Sequence, residues 1–191
     1  MSKVYWKSGT FEYPIPAVLV TSGTMKESNI MTVAWTGILN TDPAYIYISV
    51  RPTRYSYDLI LKNKEFVINL TNQKLLYATD WCGVKSGRDV DQFKEMKLTK
   101  EKAKFVKAPL IKESPVSIEC KVVKVIDLGT HTMFMAKVMS IDADEKYIDD
   151  KGAFDISKCD LIAYANGGYY SLGKKLGTFG YSVRKKKKKS R

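Results

Sequence analysis

Val116–Asp127 (VSIECKVVKVID) and Thr130–Ile141 (THTMFMAKVMSI) lie on either side of Leu128-Gly129. Both runs are rich in β-branched and large apolar residues, and a glycine-containing turn joins them, so they read as a β-hairpin of unusual length. Working outward, shorter runs of the same kind recur at regular spacing: Ala17–Thr21, Ile30–Leu39, Tyr45–Val50, Glu65–Leu70 and Leu161–Ala165. Turn residues separate them, among them Ser22-Gly23-Thr24 and Thr41-Asp42-Pro43. Helical spacing is confined to Arg54–Asn63, Gln73–Trp81 and a short piece over Val90–Met96. Too few helices separate the strands for a doubly wound parallel sheet. The pattern predicts a mainly β fold: a closed or nearly closed antiparallel barrel of Greek-key type with a few short helices.

The bulk properties suit one domain. The chain has 191 residues, 45% of them hydrophobic and 27% charged, the balance of a soluble globular protein. No apolar run approaches the ~20 residues of a membrane helix. The opening MSKVYWKSGTFEYPIP has no apolar core of a signal peptide, and a cytoplasmic location is expected. Three widely spaced cysteines, Cys82, Cys120 and Cys159, argue against a zinc knuckle or a disulfide framework and read as packing residues, Cys82 the most exposed. The net charge is +12, but seven of the basic groups fall in the last eight residues, RKKKKKSR. Residues 1–183 thus form one mildly basic domain, and 184–191 a basic tail expected to be disordered. A body of this charge does not point to specific nucleic-acid binding.

Side-chain chemistry is sparse. His131 is the one histidine, so no metal site is expected, and a cofactor carrying its own reactivity fits better than catalysis by side chains. Gly168 to Lys174 matches GxxxxGK, yet lacks the Ser or Thr of a P-loop. The most informative stretch is Ile48-Ser-Val-Arg-Pro-Thr-Arg-Tyr-Ser56, where a strand ends at a proline and a helix begins. Helix starts present free N–H groups and a positive dipole end. Arg51 and Arg54, with hydroxyls at Ser49, Thr53 and Ser56, add donors suited to a phosphate. The same residues also read as an ordinary cap with arginines in surface ion pairs. Asn29 to Gly37 alternates small polar and apolar residues, a backbone edge along which a flat ring can lie.

These segments, with Phe66–Leu70, Ser86–Phe93, Ser114–Glu119, Gly129–Phe134 and Leu172–Gly177 in the same order, resemble the flavin reductase-like proteins with an FMN-binding split barrel, close to the flavoredoxin group. The resemblance implies FMN as cofactor. Met31, Thr32, Val33, Ala34 and Trp35 would line its ring, and Ser49 and Val50 its ribityl chain. Arg51, Arg54 and Ser56 would hold its phosphate. Asn69 and Leu70 would approach the ribityl or ring, and Lys85 and Ser86 would add contacts from either subunit of a homodimer. His131, in a Gly-x-His-Thr setting, becomes the candidate catalytic residue beside a docked nicotinamide, or else a structural strand residue. Tyr169, Tyr170 and Trp81 would cover a flavin face or simply pack. The implied activity is an oxidoreductase passing reducing equivalents through FMN, with NAD(P)H as donor. The alternatives are a carrier exchanging electrons with an iron–sulfur protein and a flavin-binding module without turnover.

Overall fold

The computed structural model describes residues 1–184; the predicted basic tail, apart from Arg184, lies outside them. The strands are β1 (Ile15–Pro16), β2 (Val18–Gly23), β3 (Ser28–Val33), β4 (Thr36–Asn40), β5 (Tyr45–Val50), β6 (Glu65–Leu70), β7 (Lys100–Glu101), β8 (Leu110–Ile111), β9 (Val116–Asp127), β10 (Thr132–Ala143), β11 (Ile162–Ala165) and β12 (Gly168–Ser171). The α-helices are α1 (Tyr55–Asn63), α2 (Leu76–Val84) and α3 (Gln92–Glu95).

Seven strands form one antiparallel sheet in the order β3-β2-β6-β9-β10-β5-β4. The sheet curls into an antiparallel split barrel. Its long hairpin, β9–β10, turns at Gly129, whose φ of +90° suits glycine. Two register shifts, between Met135 and Ala136 and between Val138 and Ser140, are irregularities of the kind that bend a strand. Alternate residues of β2, β3, β5, β6, β9 and β10 fill the interior: Val18, Val20, Met31, Val33, Ile48, Val50, Phe66, Ile68, Cys120 and Phe134, with Ile60 from α1.

β2 is buried on both faces, which explains its continuous apolar run without alternation. Its second face, through Leu19, joins Ile30 of β3, Ala78 and Cys82 of α2, Phe93 and Ile111 in a second cluster. A third layer, Ala103, Val106, Ala108 and Leu110 against Val67, is tied down by a buried carboxylate. Glu119 accepts the backbone N–H groups of Lys104, Phe105 and Val106 at 2.9, 2.6 and 3.0 Å.

The predicted strand Ile30–Leu39 is two strands. β3 pairs with β2 and β4 with β5, on opposite edges of the curled sheet, so the chain must cross between edges at Ala34-Trp35. Thr36 N–H closes that step onto Ala34 O at 3.0 Å. β12 was absent from the sequence reading. It pairs with β11 through a two-residue turn, Asn166-Gly167, both at positive φ, the geometry Asn-Gly favours. Gly168–Ser171 is therefore strand, not phosphate loop. Cys82 is also corrected: all three cysteines are buried and free, because α2 turns Cys82 into the second cluster.

Candidate functional site

At the seam where the split barrel passes from β3 to β4, a groove of about 370 Å³ opens against α2, within the usual range of ligand sites. Its floor is the segment Met31–Trp35 together with Ser49, Val50 and Arg51 at the end of β5. Met31 and Val33 turn their side chains into the barrel core, so this segment offers backbone to the groove. β3 is an edge strand, and Ile30 N–H points outward, where it donates to Gln92 Oε1 at 3.0 Å. The alternation of an antiparallel ladder turns Thr32 N–H the same way, toward the open edge. The Thr32 hydroxyl, in turn, donates to Thr79 O and clamps α2 alongside. Ser49 N–H donates to Trp35 O at 2.8 Å, fixing the crossing point.

One end of the groove is basic. Arg54 occupies the N-cap position of α1 in extended conformation, and no side chain caps that helix start; Tyr57 N–H turns back onto Arg54 O, which leaves the N–H groups of Tyr55 and Ser56 for an anion. Arg54 Nη2 donates to Gly83 O near the end of α2 at 3.0 Å, which orients the guanidinium between the two helices. A narrow cleft continues beside it, lined by Asn29, Arg54, Ser56, Lys85, Ser86 and Gly87 among others. Ser56 is fully buried, and its hydroxyl oxygen accepts from Asn29 Nδ2 at 2.8 Å. A Cβ on Gly87 would lie 1.6 Å from Asn29 Oδ1, so the loop closes over Asn29 only because residue 87 has no side chain.

Another part of the lining is aromatic. Trp35, Tyr164 and Tyr169 line the groove with Ala17, Asp80 and Val84. Tyr164 and Tyr169 meet edge to face at 5.6 Å. His131 lines the groove too, its ring parallel to Trp35 within 6° at a centroid separation of 6.3 Å. Burial, and then the neighbouring Arg51 charge, hold the His131 pKa below the usual histidine value, so the ring is neutral at pH 7.

The structure thus gathers thirteen of the fifteen sequence-predicted residues into the groove or its cleft: Met31, Thr32, Val33, Ala34, Trp35, Ser49, Val50, Arg51, Arg54, Ser56, Lys85, Ser86 and His131. Asn69 and Leu70 are not among the lining residues. Asn69 is wholly buried and spends its amide elsewhere: Nδ2 donates to Leu19 O and Thr21 Oγ1, while Oδ1 accepts from Ile111 N–H and Ser117 Oγ. Leu70 packs against the barrel core. Trp81 packs on the second cluster and Tyr170 is exposed, whereas Tyr169 does reach the groove. Asp80 and Tyr164 were missed by the sequence reading. Burial pushes the Cys82 thiol up to about 12 and raises Cys120 and Cys159 as well, so none is an activated nucleophile.

The lining suits one kind of ligand: a flat, largely apolar ring with polar edges, carrying an anionic group. Comparison with known proteins agrees in kind. A flavin reductase-like domain model matches residues 10–173. A flavoredoxin of Desulfovibrio vulgaris (Miyazaki F) is similar at 31% identity and a TM-score of 0.89, over 96% of this chain and 100% of that one. An FMN-binding protein from Thermus thermophilus shares the fold at 21% identity and a TM-score of 0.78, over 93% and 99%. An uncharacterised protein of Pyrococcus abyssi is 35% identical over 134 residues, 70% of this chain and 77% of the relative. With the domain model spanning residues 10–173, the barrel and its groove included, the chain belongs to the flavin reductase-like domain family.

Proposed function

We propose that this protein is an FMN-binding oxidoreductase. The observation that carries the reading is the make-up of the groove: an uncapped helix start with Arg51 and Arg54, and aromatic side chains beside an open strand edge, in one cavity. The residues fit FMN. Arg54, Arg51 and the first-turn N–H groups of α1 would hold the phosphate, with Ser56 and Lys85-Ser86 beside it. Ser49 and Val50 would run along the ribityl chain, and Thr32 N–H would donate to the polar edge of the ring. FMN, when bound, supplies the electron chemistry. The chain's own part is to grip the phosphate, orient the ring and keep one face shielded by Tyr164 and Tyr169.

His131 lines the groove as a neutral imidazole with Nδ1 3.0 Å from the Thr130 hydroxyl; in this reading it would dock a nicotinamide as electron donor. Likeness to flavoredoxin favours a second reading, a carrier that exchanges electrons with an iron–sulfur protein. Large apolar side chains stand exposed on both terminal arms, Trp6 and Phe11 on one and Leu176 and Phe179 on the other, which supports pairing of two copies. No helix among the described residues is long and apolar enough to cross a membrane. Three free cysteines suit a reducing cytoplasm.

The test is direct. The purified chain should carry or take up a flavin, identified after denaturation as FMN. In anaerobic stopped flow, NADH or NADPH should reduce it, and His131→Asn should slow that step while leaving dithionite reduction unchanged. A chain that takes up no FMN refutes the reading. FMN uptake without any NAD(P)H reduction leaves the carrier.

A further inference from the structure

Asp80 and Tyr169 stand 89 residues apart in sequence and meet in the aromatic part of the groove, the Tyr169 hydroxyl donating to Asp80 Oδ1 at 3.2 Å. The contact joins two separate parts of the fold. Asp80 projects from α2, one turn before Gly83, whose carbonyl receives Arg54. Tyr169 belongs to β12, in the small sheet β1-β11-β12. A chain of edge-to-face rings, Tyr13 on Tyr164 at 5.9 Å and Tyr164 on Tyr169 at 5.6 Å, fixes the tyrosine. Among the described residues Asp80 has no ion-pair partner, unlike Asp58, Asp144 and Asp155. The groove therefore carries a carboxylate that no cation among the described residues pairs with directly.

We propose that Asp80, held in place by Tyr169, is a positioning and tuning residue that lowers the reduction potential of the flavin. The inference rests on the FMN reading given above. Reduction brings two electrons into the ring, and wherever fewer protons follow, the ring gains negative charge. A fixed carboxylate at its edge disfavours that state relative to the oxidised one. The Tyr169 hydroxyl has the protonation this needs: burial first, then Asp80, pushes it up to about 12, so it remains a donor throughout the neutral range. Asp80 is exposed in the open groove, so water screens it there.

The experiment is spectroelectrochemical titration of the FMN-loaded full chain, with oxidised-FMN affinity measured in parallel. Asp80→Asn keeps an acceptor for Tyr169 and removes only the charge. It should leave oxidised-FMN affinity within about threefold and favour reduced over oxidised FMN tenfold more than wild type does, a potential rise of about 30 mV for a two-electron couple. Asp80→Ser, a second way of removing the charge, should raise it similarly. Tyr169→Phe should raise it in the same direction by releasing Asp80, and adding Tyr169→Phe to Asp80→Asn should change nothing more. Bound FMN with an unchanged potential in both Asp80 variants overturns the inference alone. Full additivity of Tyr169→Phe and Asp80→Asn overturns the role of Tyr169 in holding the carboxylate. A wild-type chain that binds no FMN overturns the flavin reading, and this inference with it.

Discussion

Arg54→Ala tests the phosphate anchor by a comparison between two ligands. Arg54 has one modest structural duty, the 3.0 Å bond from Nη2 to Gly83 O. The residue is only half-buried, so its loss should cost the fold about 1 kcal/mol. Its remaining N–H groups face the groove and the cleft at the start of α1. A charge-assisted bond from guanidinium to phosphate contributes roughly 1.5–3 kcal/mol, so Arg54→Ala should weaken FMN about tenfold to a hundredfold. Riboflavin has the same ring and ribityl chain without the phosphate, and should bind wild type and variant equally. Arg54→Lys should recover part of the loss, since it restores charge without the planar fork. Quenching of flavin fluorescence in equilibrium titrations of apo-protein gives both constants. Equal losses for FMN and riboflavin would refute the assignment and leave Arg54 as a strut between α1 and α2.

Three further outcomes follow from the geometry. Glu119→Ala strips the acceptor from three N–H groups in the loop over Val67; at about 3–5 kcal/mol it should lower Tm by roughly 6–20 °C, and a shift under 2 °C would refute the anchor. Gly87→Ala puts a methyl onto Asn29 Oδ1 and should push Asn29 off Ser56, weakening FMN several-fold more than riboflavin; unchanged FMN affinity would show that the cleft plays no part. By NMR, the His131 ring in apo-protein should titrate below the usual 6.5, and Arg51→Ala should raise the midpoint only part of the way, since burial is the larger cause. Because the unfolded chain takes up this proton first as pH falls, this group lowers stability as pH drops through about 6.5. A midpoint at or above 6.5 would contradict the placement beside Arg51.

The barrel was legible where local pattern and final partner coincide. Tyr45–Val50 and Glu65–Leu70 are strands with the predicted bounds, and Arg54, the predicted first residue of the helix, stands at its N-cap position. The break at Ala34-Trp35 was not legible: the apolar run Val33-Ala34-Trp35 passes straight across it, and only the change of neighbour, β2 to β5, divides the strand. Asn166-Gly167 was a readable hairpin signal overshadowed by the glycines and lysines that follow. The arginine end of the groove could be inferred because a strand, a proline and a helix start lie within nine residues. Asn69 and Asp80 could not be placed in this way. Each is a polar residue whose role depends on groups far along the chain: Leu19, Ile111 and Ser117 for one, Tyr169 for the other.

The central claim is that one groove holds FMN with its phosphate at the start of α1. A crystal structure of the full chain with FMN tests it most directly. The account predicts phosphate oxygens within hydrogen-bond distance of Arg54 and of first-turn N–H groups of α1, and the ring against Thr32 N–H, with Tyr169 along its face. FMN bound elsewhere, or lying in the groove with its phosphate at Tyr164 and Tyr169, would contradict it.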